Sequence, residues 1–225
     1  IVCHTFPGQY DQVYTPLLGY PHFEGPSLQT NDTHDQTIRW IDRSAAAGRP
    51  WFVCLDEIGP SHTGVMPDAN DYGHDEVRKR HLWANLMAGG AGVEWYFGYR
   101  FAHNDLNSED WRTRDHLWDL TRYALDFFRQ IPFDRMAHHD ELTTAADDYC
   151  LADPGSVYAL YLPTVQTTDL DLGTTIKSYR VEWYNPREGG PLQQGTVISV
   201  TGPGKVSLGL PPVEADKDWI VIVRR

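Results

Sequence analysis

The sequence predicts an α/β part followed by an all-β part, and three features of its pattern point to this. Over residues 1–130, short apolar segments alternate with segments whose apolar residues recur at helical spacing. The short segments are apolar at consecutive positions, as in strands that are buried on both faces of a parallel sheet. From about residue 147 the segments become short and β-branched or aromatic, with turn residues between them. We therefore expect a helix-covered parallel sheet and then a small antiparallel β-sandwich.

The first part contains four predicted strands and three predicted helices. The strands are expected at residues 1–6, 17–20, 51–55 and 92–97. The helix at 33–47 follows Asp32 as a cap, the helix at 75–88 stops at two glycines, and the third helix covers 110–130. An opening strand followed by strand–helix units is a βα repeat, in which the strands run parallel.

The second part contains six predicted strands and no predicted helix. The strands are expected at residues 149–151, 157–162, 179–184, 197–200, 205–208 and 219–223. Turn clusters such as Asp153-Pro154-Gly155 separate them. The pattern changes after Pro132, and the sequence therefore predicts two domains, at residues 1–134 and 135–225.

Composition and motifs argue against several classes of protein. The chain has 31 acidic and 19 basic residues and a formal net charge of −12, which argues against a nucleic-acid partner bound through its phosphates. No apolar run approaches the roughly 20 residues of a membrane-spanning helix. The sequence has no GxSxG elbow, phosphate-binding loop or GxGxxG turn, so serine-hydrolase, nucleotide and dinucleotide chemistry is not expected.

Neither a metal nor another cofactor is expected from the sequence. The three cysteines lie far apart, and the ten histidines include no HExxH motif. Residues 66–75 have a faint likeness to a calcium loop but lack a glutamate at its twelfth position, so a capped loop is favoured. The chain begins inside a predicted strand without an initiator Met, and we expect it to be the C-terminal part of a longer protein.

Polar and aromatic residues follow each predicted strand of the first part. In parallel α/β barrels the chemistry lies at the carboxyl ends of the strands, where the loops converge. The candidates at these ends are His4, His22, Glu24, Asp56, Glu57, Glu94, Trp95 and Tyr96. Asp56 and Glu57 are the strongest pair, because they directly follow the apolar segment 51–55, where burying a charge is costly.

Asp56 and Glu57 are expected to point in opposite directions, because side chains alternate along a strand. Glu57 is favoured at the open end of the strand, since its longer side chain reaches further. The alternative that the pair only caps the next loop stays open. Trp95 either stacks on a sugar ring or packs in the core, and Glu94 is either a second functional acid or a buried partner of an arginine.

Two segments resemble a known family. Residues 75–99, DEVRKRHLWANLMAGGAGVEWYFGY, resemble the last helix and strand of bacterial glycoside-hydrolase-like barrels that are used on plant or algal polysaccharides. The tail, with VEWYNPR at 181–187 and DKDWIV at 216–221, resembles the β-sandwich that follows those barrels and is labelled a collagen-binding domain. The resemblance implies the C-terminal half of a (β/α)8 TIM barrel, followed by that small antiparallel β-sandwich.

The resemblance also implies an activity and roles for the candidate residues. In the retaining clan the acid/base follows the fourth strand, the nucleophile the seventh and an aromatic residue the eighth. If residues 92–97 are the eighth strand, Glu57 takes the nucleophile position and Trp95 the aromatic position, while the acid/base lies before residue 1. The remaining candidates would line the sugar subsite: His4, His22, Glu24, Asp56, Glu94 and Tyr96.

The expected partner is then a carbohydrate substrate, and the expected location is outside the cytoplasm. Three alternatives are an inverting hydrolase, an inactive barrel that binds glycans, and an adhesive module that acts through the sandwich.

Overall fold

A computed structural model describes residues 1–107, 109–164, 168–174 and 176–225 of the chain. It divides into two compact units, Ile1–Trp118 and Asp119–Arg225. The division falls within a helix, α4 (Asp115–Phe128). None of the helices in the described residues is both long and apolar enough to cross a membrane.

The first unit is built on a four-stranded parallel sheet. Its strands are β1 (Val2–His4), β2 (Gly25–Gln29), β3 (Cys54–Glu57) and β4 (Gly92–Val93), which lie side by side in chain order. Each neighbouring pair is parallel. The parallel order predicted from the sequence is therefore confirmed.

Helices follow these strands, and all of them except the first lie close to where the sequence predicts a helix. They are α1 (Tyr10–Tyr14), α2 (Thr33–Ala46), a π-helical segment (Val77–Trp83) that continues into α3 (Ala84–Met87), and α4. The helix predicted at 75–88 is thus mostly π-helical, and the one predicted at 110–130 opens with the 3₁₀ turn Trp111–Arg114 before α4 begins.

The strand predicted at residues 17–20 is wrong. Residues Thr15–Leu17 form a 3₁₀ turn, and the strand that follows is Gly25–Gln29. Leu17 and Leu18 pack against the core from this turn, so the apolar run that suggested a strand serves packing instead. The true strand holds few large apolar residues, and its buried position between β1 and β3 overrides its weak local propensity.

The last strand of the sheet is also shorter than predicted. Gly92–Val93 forms the strand that pairs with β3, and the amide of Glu94 donates one more hydrogen bond of 2.8 Å to the carbonyl of Leu55. Beyond it, the carbonyl of Tyr96 accepts a hydrogen bond of 2.7 Å from the amide of Val65. Residues 94–97 therefore pair in part with a loop rather than extending the sheet.

The two faces of the sheet differ. Leu28, Val53 and Leu55 are fully buried on one face, where they join a cluster with the aromatic residues of α1 and α2. Phe52, Cys54 and Asp56 alternate with Val53 and Leu55 along the chain that enters and forms β3, so they belong to the other face, and there they are exposed or half-buried. Helices thus cover one face of the sheet.

The second unit is antiparallel. Its strands are β5 (Ala137–His138), β6 (Tyr149–Asp153), β7 (Val157–Leu162), β8 (Asp169–Asp171), β9 (Ser178–Tyr184), β10 (Ser199–Thr201), β11 (Lys205–Ser207) and β12 (Trp219–Arg224). One sheet has the order β10-β9-β12-β7-β6-β5, and β11 pairs with β8 in a second sheet. Leu160 and Trp183 of the large sheet share one hydrophobic cluster with Leu170 of the small sheet.

The final turns of α4 belong to this second unit. The ring of Phe127 lies 5.2 Å from the ring of Tyr184, and the Tyr184 hydroxyl donates a hydrogen bond of 2.8 Å to the carbonyl of Tyr123. Phe127 and Tyr184 are fully buried.

Candidate active site

Three polar side chains meet at the carboxyl ends of β1 and β3. His4 Nδ1 lies 3.0 Å from Asp56 Oδ1, and His4 Nε2 lies 3.5 Å from Glu57 Oε2. A single imidazole therefore contacts two adjacent carboxylates, one through each ring nitrogen. The side chains of Asp56 and Glu57 are 22% and 26% exposed, so both remain accessible to a ligand.

A register shift explains why two consecutive residues reach the same imidazole. Leu28 pairs with Leu55, but Gln29 pairs with Glu57, so Asp56 is the extra residue of a bulge in β3. The bulge interrupts the alternation of side chains at this point. The expectation that only one of the two carboxylates faces the open end of the strand is therefore wrong.

Strand β2 and helix α1 support this group. Ser27 Oγ donates a hydrogen bond to Asp56 Oδ2. The Tyr14 hydroxyl lies 3.2 Å from the carbonyls of Cys3 and of Ser27, and so ties α1 to β1 and β2. Burial raises the pKa of Tyr14 well above its usual range, and the nearby charge of Asp56 adds to the rise. Tyr14 therefore stays protonated at neutral pH.

Tyr10 holds the end of β2 in the same way. Its hydroxyl donates to the carbonyl of Gln29 and accepts a hydrogen bond of 2.9 Å from the Gln29 amide. Burial raises the pKa of Tyr10 to about 12, and the charge of Asp56 also contributes.

A cavity of about 250 Å³ lies beside Asp56. Ser27, Cys54, Asp56 and Glu94 contribute polar atoms to its lining. Burial raises the pKa of the Cys54 thiol, and the carboxylates of Asp56 and Glu94 add to this effect. Glu94 therefore lies on the same side of the sheet as Asp56.

Tyr96 and Trp95 follow β4 and have different surroundings. The Tyr96 hydroxyl donates to the carbonyl of Ser61. Partial burial raises the pKa of Tyr96, and the Glu57 carboxylate raises it further, which places Tyr96 near Glu57. Trp95 is half-buried and packs against the hydrophobic cluster that contains Leu55. Of its two expected roles, packing is the one visible in the structure.

Glu57 borders a second cavity of about 230 Å³, and part of its lining was not found from the sequence. The lining includes Gln29, Thr30 and Asn31, at the carboxyl end of β2. These residues were missed because the strand was expected at residues 17–20. The polar run 29–32, directly before a helix cap, is the signal that could have located the end of the strand.

His22 and Glu24 lie at the opposite edge of the sheet. Both precede β2, and the Glu24 backbone bonds to Ile1 and Phe52, which come before β1 and β3. The five residues of β2 span roughly 15 Å, at about 3.3 Å per residue. The expectation that His22 and Glu24 lie beside Glu57 is therefore wrong. They were expected to follow a strand, but β2 begins after them, so they lie at its amino end.

Asp68 in the segment 66–75 is engaged by protein groups. Its Oδ1 lies 2.8 Å from Nε2 of the buried His74, and its Oδ2 accepts a hydrogen bond of 2.8 Å from the amide of His116 in α4. This is the capped loop that the sequence favours. Within the described residues, no group of three histidine, cysteine or acidic side chains is placed to hold a metal ion.

Comparison with known proteins gives one family match and several structural neighbours. Residues 134–224 match a family model described as "Putative collagen-binding domain of a collagenase". No curated protein matches the chain. A solved structure named "Glycoside hydrolase" has a TM-score of 0.61 and 15% identity, over 88% of this chain and 47% of that one.

A second neighbour is a glycoside hydrolase family 5 protein from Bacteroides vulgatus ATCC 8482. It has a TM-score of 0.61 and 15% identity, over 86% of this chain and 45% of that one. The chain therefore spans slightly less than half the length of each neighbour. Its fold resembles that of glycoside hydrolase chains.

Proposed function

We propose that this chain is the C-terminal part of a retaining glycoside hydrolase and that Glu57 is its nucleophile. In this proposal, residues 1–134 are the second half of a (β/α)8 barrel and residues 135–225 are a β-sandwich. The observation that carries it is the position of Glu57, which lies at the carboxyl end of the third of four parallel strands, beside a cavity and in contact with His4. Active sites of barrel enzymes lie at this end of the strands.

The length of the chain supports the same proposal. Four parallel strands are half of an eight-stranded barrel, and the chain spans 47% and 45% of two glycoside hydrolase chains of similar fold. In a completed barrel the partly exposed face of the sheet, with Phe52 and Cys54, becomes the packed interior.

The chemistry proposed for Glu57 proceeds in two steps. In the first, a Glu57 carboxylate oxygen forms a bond to the anomeric carbon while the bond to the leaving oxygen breaks. That oxygen keeps the electron pair and takes a proton from the acid/base, which we place on the fourth strand of the barrel, about 5–5.5 Å from Glu57. In the second, the acid/base takes a proton from water, whose oxygen attacks the same carbon and releases Glu57.

The proposed substrate is a plant or algal polysaccharide or oligosaccharide, and the proposed location is outside the cytoplasm. Gln29, Asn31 and Tyr96 offer amide and phenol groups near Glu57 that suit sugar hydroxyls. These groups replace His22 and Glu24 in the proposed subsite.

The test is covalent trapping in the full-length protein. A panel of 2-deoxy-2-fluoro glycosides with a dinitrophenyl leaving group should leave one sugar on the peptide that contains Glu57, located by mass spectrometry. Glu57→Gln should abolish labelling and lower turnover by about six orders of magnitude, comparable to the loss on deletion of a catalytic nucleophile. Binding should survive.

Asp56→Asn is the matched control, and it should still be labelled on Glu57. Label on Asp56 would mean that the nucleophile is the neighbouring carboxylate. Turnover without a trapped sugar, and with inversion at the anomeric carbon, would favour the inverting alternative. Absence of both turnover and label would favour an inactive, glycan-binding barrel.

A second candidate function is adhesion through the antiparallel unit. The family match over residues 134–224 favours it, because the matching model carries a collagen-binding label. Saturable binding of the full-length protein to immobilised collagen, lost when residues 134–224 are deleted, would support this function.

A further inference from the structure

Asp56 and Glu57 are adjacent but engaged differently. Asp56 has both carboxylate oxygens in contact with protein groups: Oδ1 lies 3.0 Å from His4 Nδ1, and Oδ2 accepts the hydrogen of Ser27 Oγ. Glu57 meets the same imidazole at the longer distance of 3.5 Å and borders the cavity with Gln29. The first carboxylate is thus held at both oxygens by groups of β1 and β2, although it also lines the neighbouring cavity, while the second meets His4 at one oxygen.

We propose that Ser27 and Asp56 are positioning residues that orient His4 toward Glu57, and that His4 donates a hydrogen bond to each carboxylate. The proposal rests on Glu57 being the nucleophile. Ser27, Asp56, His4 and Glu57 then form one chain of hydrogen bonds that begins on β2, passes through β3 and β1, and ends at the nucleophile.

The geometry around His4 limits the hydrogen bonds that the ring can make. A neutral imidazole carries one N–H, so its other nitrogen would direct a lone pair at a carboxylate oxygen. Both nitrogens of His4 face carboxylate oxygens. A ring that donates to both carboxylates, as proposed, carries hydrogen on both nitrogens.

The other titratable groups around this chain do not oppose a positive ring. Helix α1 contributes two tyrosines whose pKa values respond to the charge of Asp56, and β3 and the segment after β4 contribute a thiol, a phenol and a further carboxylate. These groups are Tyr10, Tyr14, Cys54, Tyr96 and Glu94. None of these five side chains can carry a positive charge.

This arrangement separates the roles of the two carboxylates. Asp56 is held at both oxygens and cannot turn toward a substrate without losing the bonds to His4 and Ser27. In the proposal Glu57 accepts a hydrogen bond at one oxygen from His4, which lies 3.5 Å away, and this leaves the other oxygen for attack. Fixing a nucleophile in its reactive geometry is an established source of rate enhancement.

The first test reads His4 directly, in the full-length protein and without substrate. With ¹⁵N-labelled histidine and His4→Gln to assign the signal, the ring should show two protonated nitrogens at pH 7. In Asp56→Asn the ring should revert to a neutral tautomer at the same pH. A neutral His4 ring in the unmodified protein overturns the proposal, whatever the variants do.

The second test reads catalysis with a dinitrophenyl glycoside that the enzyme hydrolyses. Asp56→Asn should lower kcat on the order of 100-fold with little change in KM, as expected for a misplaced reactive group. Its pH–rate profile should differ from that of the unmodified enzyme, because the change removes a negative charge beside His4. Ser27→Ala, which leaves both carboxylates in place, should change the profile less.

The exposed Asp119→Asn should behave as the unmodified enzyme. An unchanged pH profile in folded Asp56→Asn overturns the proposal, and the melting temperature shows whether the variant is folded. If Glu57 is not the nucleophile, no sugar is trapped on it. The protonation of the His4 ring can still be measured in that case.

Discussion

His81 shows at the scale of a single residue how burial sets a pH response. It lies in the π-helical segment with Nδ1 3.0 Å from Thr33 Oγ1, and burial lowers its pKa from 6.5 to about 4. The unfolded chain takes up this proton near pH 6.5, and the folded chain does so only near pH 4. The contribution of this group to stability is therefore complete above about pH 6.5 and is lost as the pH falls toward 4.

We predict that the first unit loses on the order of 3 kcal/mol of stability from this group between pH 7 and pH 4. Urea unfolding at several pH values, followed by tryptophan fluorescence, measures this loss. His81→Gln should flatten the dependence, while the exposed His22→Gln should leave it unchanged. If the stability of His81→Gln depends on pH as steeply as that of the unmodified protein, the buried histidine is not the source of the dependence.

One acid in the second unit has the opposite sign and must be separated from His81 in this measurement. Burial raises the pKa of Asp148 from 3.8 to about 6, so its contribution is complete below about pH 3.8 and is lost as the pH rises through 6. The series is therefore best done in an Asp148→Asn background, where the side chain can still accept the hydrogen bond of Thr168.

At the scale of elements, the helices follow from the sequence better than the strands do. The helix predicted at 33–47 is α2 (Thr33–Ala46), because its apolar spacing and its stop signal agree, although the Asp32 side chain makes no capping hydrogen bond. No local signal predicts the strand Gly25–Gln29, since it contains glycine, proline and serine. Its burial comes from β1 and β3 on either side, and this is information that no local window contains.

The sequence predicts only part of the candidate site. His4, Asp56 and Glu57 were found because polar residues directly after an apolar strand stand out in a sequence. The bulge that turns Asp56 and Glu57 toward the same imidazole was not found, since it arises from the pairing of Gln29 with Glu57. A change of register depends on two strands at once, and the pattern of either strand alone does not show it.

The segment that carries Tyr96 is held by close contact between two backbones, and Gly98 makes that contact possible. Gly98 has a φ of +63°, and a Cβ at this position would lie 2.7 Å from the carbonyl oxygen of His62. His62 in turn accepts hydrogen bonds from the amides of Tyr99 and Arg100. A side chain at residue 98 would push these two segments apart.

We predict that Gly98→Ala destabilises the first unit by about 1–3 kcal/mol, through the strained φ and the overlap with His62. In the full-length protein it should also lower kcat of the proposed hydrolase activity, because it displaces Tyr96 beside Glu57. Gly8→Ala is the control, since a Cβ there meets nothing within 4 Å. Equal urea midpoints for the two variants would show that the contact at Gly98 is not needed.

At the scale of the whole molecule, sequence and packing place the border between the two parts differently. The proposed domain border is at 134/135, and the family match begins at residue 134. Contacts instead assign the chain from Asp119 onward to the second unit. The difference concerns residues 119–134. Their helical spacing groups most of them with the first part, although Phe127 packs on Tyr184 in the second.

We predict that residues 119–225 fold alone and that residues 135–225 are less stable by about 3 kcal/mol or more, which is the usual cost of removing a buried phenylalanine. Without α4, Tyr184 loses the ring of Phe127 and the carbonyl of Tyr123 that accepts its hydroxyl hydrogen. Urea unfolding of the two fragments measures the difference. Phe127→Ala in the longer fragment should reproduce most of it, and Leu125→Ala should not, because Leu125 is 51% exposed. Equal stability of the two fragments would instead make residue 135 the start of the folding unit, because α4 would then contribute no packing energy to the antiparallel sheets.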